Sequence, residues 1–233
     1  LGETDQAKQD EENPFENIDG AKYKKIINRM VFGNPYIWII GISNFCIYVI
    51  RLTILDWGAS FLTETKGMDI AQAGGLLATT EIVGGTLGML LAGWLSDKVF
   101  AGDRVKPAIL SGMLSFIALA LFLFTEGGFM MNIFYVSLFS LAVGVLYCIV
   151  AGLMAVDIVP RKATGAALGV VGISSYVAAG LQDITSGYLI QYNTRQAGGV
   201  DVYDFGPVSW FWLVAALVSF ILPVLNWKKM KNN

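Results

Sequence analysis

The chain has 233 residues, 55% hydrophobic and 15% charged, with a formal charge of −2 and a mean hydropathy of +0.59. A soluble domain needs a more charged surface. Histidine is absent and the two cysteines, Cys46 and Cys148, sit inside apolar runs, so neither a metal-ligand cluster nor a disulfide framework is expected. No basic patch interleaved with aromatics points to nucleic acid, and no cofactor is implied.

Residues 1–33 open the chain. The first 19 carry seven acids and one base, Lys8, a composition that cannot bury enough apolar surface to fold alone. The segment reads as an acidic cytoplasmic tail or central linker. Leu1 is not an initiator, so the chain reads as a fragment.

Six apolar runs follow, near 34–56, 71–95, 107–125, 132–156, 165–192 and 208–227. Each is roughly 19 residues or longer, enough at about 1.5 Å per residue to cross a hydrocarbon core of about 30 Å. Their length without strict alternation predicts helices rather than barrel strands. The expectation is an all-α membrane protein with a six-helix domain over 34–227 and a short basic tail over 228–233. Lys and Arg in the connections divide twelve against two: Lys66 and Arg195 alone lie on the minority side. That bias predicts that both ends of the domain are cytoplasmic.

Within the spans, Gly84 and Gly88 in the second and Gly165, Gly169 and Gly172 in the fifth form small-residue stripes, expected to let helices approach closely in lipid or to slide. Arg51, in NFCIYVIRLTILDW, is a charge deep in the first span. Such a position costs roughly 2.5–3.5 kcal/mol on insertion scales and is functional by default, the alternatives being an ion pair with Glu81 or Asp56, or snorkelling to an interface. Asn44, Tyr48 and Arg51 follow i, i+4, i+7 spacing and share a helix face. An amide, a phenol and a five-donor fork suit an oxyanion, because arginine grips phosphate bidentately; interhelical hydrogen bonding is the other reading of Asn44 and Tyr48. Glu81 in the second span is either a proton carrier or a latch paired with a base. Asp183 and Asp157 lie nearer helix ends and read as interface or gate residues.

The connection after the second span, GWLSDKVFAGDR from Gly93 to Arg104, follows the pattern G-x-x-x-D-K/R-x-x-x-G-x-R. Asp97 is expected to pair with basic groups on neighbouring helix ends. With Arg51, this pattern and VPRKATGAALG (159–169), the chain resembles the organophosphate:phosphate antiporter family of the major facilitator superfamily, from about Asn34 to Trp227. The resemblance implies the C-terminal half of a twelve-helix fold in a bacterial inner membrane, exchanging a sugar or glycerol phosphate for inorganic phosphate and needing the N-terminal six-helix half as partner. It implies that Arg51 is the phosphate-binding arginine, Tyr48 the tyrosine one turn before it and Glu81 an acid of the next helix. Where a hexose-phosphate member carries an Asp and a Lys, this chain has Leu168 and Val171. A sugar-phosphate-sensing membrane receptor of the same family and a proton-coupled transporter using Glu81 are the alternatives. Without a nucleophile motif or a metal cluster, an enzyme is not expected.

Overall fold

The computed structural model describes residues 20–197 and 199–231. Residues 1–19, most of the expected acidic tail, and residues 232–233 lie outside them. From Gly20 the chain is helical: α1 (Gly20–Ile27) continues through a widened π turn, Asn28–Phe32. The six spans are α2 (Pro35–Lys66), α3 (Ile70–Val99), α4 (Val105–Phe124), α5 (Phe129–Asp157), α6 (Arg161–Asn193) and α7 (Gly206–Lys231), the last apolar enough to cross a membrane over Gly206–Leu225. The segment read as a basic tail from 228 is thus, as far as Lys231, the last turn of α7.

Helix starts follow local chemistry. Asn34 accepts from the Tyr36 amide at 3.0 Å, with Pro35 at the first helical position, where its missing N–H is not needed. Asp69 accepts from Ala71 N and Gln72 N at the head of α3, and Gly67, at φ +63°, closes α2. The first span corrects the expectation most. It does not end near Asp56 but passes through a π turn, Thr53–Trp57, and on to Lys66. Arg51 therefore lies at mid-span, out of snorkelling range of either end. Between α6 and α7 a two-stranded antiparallel hairpin pairs β1 (Arg195–Ala197) with β2 (Val200–Val202), in the register Arg195 to Val202.

α2 is the hub. It packs between α6 and α7 and touches α5; α5 runs against α3 and α4, and α4 against α7. Ile40, Ile47, Ile50, Leu119, Phe139, Leu146 and Trp212 fill the interior. α3 and α6 barely meet, so the ring is open between them. In α6 only 22% of the most apolar stretch is buried, against 56% in α2, so α6 keeps a broad uncovered flank.

The two glycine stripes behave differently. A Cβ on Gly88 would stand 2.3 Å from the Leu141 carbonyl oxygen, and one on Gly144 2.7 Å from that of Gly85, so the α3–α5 seam admits only glycine there. Gly165, Gly169 and Gly172 face nothing within 4 Å among the described residues. The stripe expected to bring α6 close to a neighbour is bare within this bundle.

Candidate functional site

The open side of the ring leads to the charge pair. Arg51 on α2 donates from Nε to Glu81 Oε1 of α3 at 3.0 Å, with the two side chains 27% and 12% exposed. Glu81 opens the π turn Glu81–Gly85, and Arg51 stands just before the π turn of α2. Such turns widen a helix and re-aim side chains, often where function sits. Among the described residues Nη1 and Nη2 of Arg51 make no hydrogen bond. Asp56, the other candidate partner for Arg51, forms no ion pair with it.

Tyr147 of α5, not singled out in the sequence, completes the cluster. Its ring lies 6.0 Å from the Arg51 guanidinium carbon and meets Tyr48 edge-on at 5.7 Å between centroids. Its signal was weak: one aromatic in a long apolar run, on a helix whose facing side the sequence does not reveal. The Ser140 hydroxyl is buried here without a hydrogen-bond partner among the described residues. The recess shared by Arg51, Glu81, Ser140 and Tyr147 holds only about 10 Å³, while beyond Tyr147 and Met89 a groove of about 320 Å³ opens along Leu168 and Val171 of α6.

Asn44 borders that groove, but its amide is engaged. Nδ2 lies 2.9 Å from the Val171 carbonyl oxygen, 2.7 Å from Ser175 Oγ and 3.1 Å from Ser174 Oγ, and the residue is fully buried. An amide has two protons, so it serves two of these at once and none is left for a ligand. Asn44, Tyr48 and Arg51 all lie on the α-helical part of α2, Pro35–Leu52, where their spacing gives a shared face. At the level of Asn44, however, α6 covers that face, whereas at Arg51 it is open. The interhelical reading is the one the geometry favours; Asn44 Oδ1 has no hydrogen-bond partner among the described residues.

A second cluster ties helix ends together on the side richer in Lys and Arg. Arg104 donates from Nη1 to Asp97 Oδ1 at 2.8 Å and to Ser96 Oγ, and from Nε to Asp157 Oδ2 at 3.2 Å. Burial alone disfavours the charged guanidinium, but the two carboxylates outweigh it and raise its pKa above the ordinary arginine value. The loop motif thus joins α3, the head of α4 and the foot of α5. At the opposite end, Lys66 donates to Asn132 Oδ1 at 2.8 Å and to the Thr125 and Phe122 carbonyls, with its ammonium 4.8 Å from the Phe122 ring centroid. Trp57 donates to Asp183 Oδ1 at 3.2 Å, linking α2 to α6.

Six membrane-length helices around a mid-span arginine–glutamate pair define a polytopic helical membrane protein. Residues 3–182 match the Major Facilitator Superfamily, and the chain belongs to that superfamily. It is 33% identical, over 70% of its length and 37% of the relative's, to the membrane sensor protein UhpC of Escherichia coli. It is 31% identical to the glycerol-3-phosphate transporter of Bacillus subtilis, over 66% of this chain and 34% of that protein. It is 30% identical to the hexose-6-phosphate:phosphate antiporter of Escherichia coli, over 96% and 47%. The chain therefore spans between a third and a half of these relatives, which are named as transporters and a sensor, not as enzymes.

Proposed function

We propose that the chain is one half, the C-terminal one, of a transporter that exchanges a sugar or glycerol phosphate for inorganic phosphate by alternating access. The observation that carries this reading is the Arg51 guanidinium, held at mid-span through Nε, with both terminal nitrogens uncommitted among the described residues. A phosphate arriving through the gap between α3 and α6 meets a fork whose N–H pair matches two of its oxygens. Tyr48 and Tyr147 flank the fork; their phenols can donate to a third oxygen. A second six-helix half faces this one across the open side and supplies the remaining ligands, with the substrate between the halves near the midplane. Both ends of this chain then lie in the cytoplasm of a bacterial inner membrane.

The charge balance at Arg51 couples occupancy to the contact between α2 and α3. Empty, Arg51 is balanced by Glu81. With phosphate bound, the anion draws on the same guanidinium and loosens the Glu81 bond, so the latch between α2 and α3 reports occupancy. Arg104 with Asp97 and Asp157 joins three helix ends and acts as a gate that holds one orientation. Pairing with Arg51 favours the latch reading of Glu81 over that of a proton carrier. The test is uptake of labelled phosphate by proteoliposomes of the full-length protein, inhibited by a panel of phosphate esters beside their dephosphorylated parents. Esters compete and parents do not; competition by free glycerol or glucose equal to that of their phosphates defeats the phosphate-centred site.

A sensing role is the second reading, favoured by the identity to the membrane sensor. It differs in one outcome: saturable ester binding with no exchange of labelled phosphate.

A further inference from the structure

A crevice of about 670 Å³ separates the head of α4 from the foot of α7. Asp103, Val105 and Lys106 form one wall, and Leu225, Trp227 and Lys228 the other. Deeper in the membrane the same two helices touch: a Cβ on Gly112 would stand 2.3 Å from the Phe220 ring. Between that contact and the interface stands Pro223, which has no amide proton to donate within α7.

The lining has two chemistries. Val105 and Leu225 are apolar, and Leu225 is 74% exposed. Lys106 and Lys228 are cationic and exposed, and Lys228 forms no ion pair among the described residues. Asp103 is the one acid of the lining. Its carboxylate accepts from Val105 N at 2.8 Å and Lys106 N at 3.4 Å, capping α4, and lies 3.7 Å from the Lys106 ammonium, an exposed and loose pair worth little. The Trp227 indole N–H has no acceptor among the described residues.

We infer that this crevice is a binding site for an anionic phospholipid, with the phosphate between Lys106 and Lys228, the indole N–H of Trp227 on a headgroup oxygen, and the acyl chain along Val105 and Leu225. Basic recesses between transmembrane helices at the headgroup level hold anionic lipids, and tryptophan prefers that depth. A soluble phosphate would satisfy the lysines but leave the apolar wall uncovered, whereas a phospholipid fills both. The site is independent of Arg51, so its test stands whether or not the protein exchanges phosphate.

The experiment places the full-length protein in phosphatidylcholine nanodiscs doped with photoactivatable phosphatidylglycerol or, separately, photoactivatable phosphatidylcholine, and maps cross-links by mass spectrometry as probe is titrated. The phosphatidylglycerol probe is expected to label the 224–227 segment at lower concentration than the phosphatidylcholine probe. Replacing Lys106 or Lys228 by Gln should weaken labelling by about five-fold each, and replacement of both by Arg should preserve it. Asp103→Asn keeps the helix cap and removes the competing charge, so labelling strengthens. Equal labelling by the two lipids, or labelling unchanged in Lys106→Gln/Lys228→Gln, overturns the site. Displacement by excess inorganic phosphate assigns it to a soluble anion and overturns the lipid.

Discussion

Glu81 holds Arg51 along one edge of the guanidinium, Oε1 to Nε at 3.0 Å, while the edge carrying both terminal nitrogens has no acceptor among the described residues. A single carboxylate thus balances the charge of Arg51 without occupying the fork. An arginine buried for structure alone would gain from filling all its donors; this one is half filled, and the free half is what a phosphate needs.

Lysine at position 51 keeps the charge and loses the fork. Arg51→Lys is expected to lower phosphate exchange about a hundredfold, the loss of roughly 2–3 kcal/mol of bidentate contact, while membrane insertion and yield stay normal. Exchange of labelled phosphate in proteoliposomes decides; a rate near wild type removes Arg51 from the binding site.

Glu81→Gln removes the competitor for the guanidinium. Inorganic phosphate should bind several-fold more tightly, on the order of 1 kcal/mol given the partial exposure of the pair, and should turn over more slowly. Thermal stabilisation by phosphate measures the first and exchange kinetics the second. Weaker phosphate binding would mean that Glu81 serves the site as a ligand or positioning group rather than as a rival.

Asn44→Ala deletes the cross-link from α2 to α6. It should cost about 1–3 kcal/mol in unfolding free energy, the penalty of leaving buried partners unpaired, with phosphate affinity nearly unchanged. Denaturant titration beside phosphate binding separates the two. A large loss of affinity at wild-type stability would return Asn44 to the substrate.

Gly88→Ala forces a methyl group against the Leu141 carbonyl and should destabilise by about 1–3 kcal/mol as the α3–α5 seam opens. Gly169→Ala, on the bare stripe of α6, should leave the stability of this bundle within about 0.5 kcal/mol of wild type. Unfolding of both variants in detergent is the measurement, and a Gly88→Ala protein as stable as wild type contradicts the close seam.

Lys66→Met leaves the carbonyls of Phe122 and Thr125 and the side chain of Asn132 without their shared donor. Faster amide exchange at the outer ends of α4 and α5 is expected, with about 1–3 kcal/mol lost locally. Unchanged exchange there would make the lysine a bystander.

Much of this was legible in residue order. Runs of apolar residues announce helices, since lipid leaves the backbone few other options, and a charge among them marks itself by its cost, as Arg51 and Glu81 do. What stayed hidden depends on which helix covers which face. The spacing of Asn44, Tyr48 and Arg51 revealed a common stripe but not that α6 lies over its lower end. Tyr147 resembled its apolar neighbours until α5 was set against α2. The first apolar run reads as ending near Asp56, whereas a π turn carries the helix through that point and on to Lys66. The two glycine stripes read alike, and only the neighbours tell the closed seam from the bare one.

The seam at Gly88 and Gly144 has a mechanical consequence. Two helices whose backbones nearly touch cannot roll against each other, because any rotation drives a carbonyl into an α-carbon. Glu81 on α3 and Tyr147 on α5 are therefore mounted on one stiff plate and travel together. Relative movement near the arginine has to come from α2 against that plate, or from the plate turning as a unit.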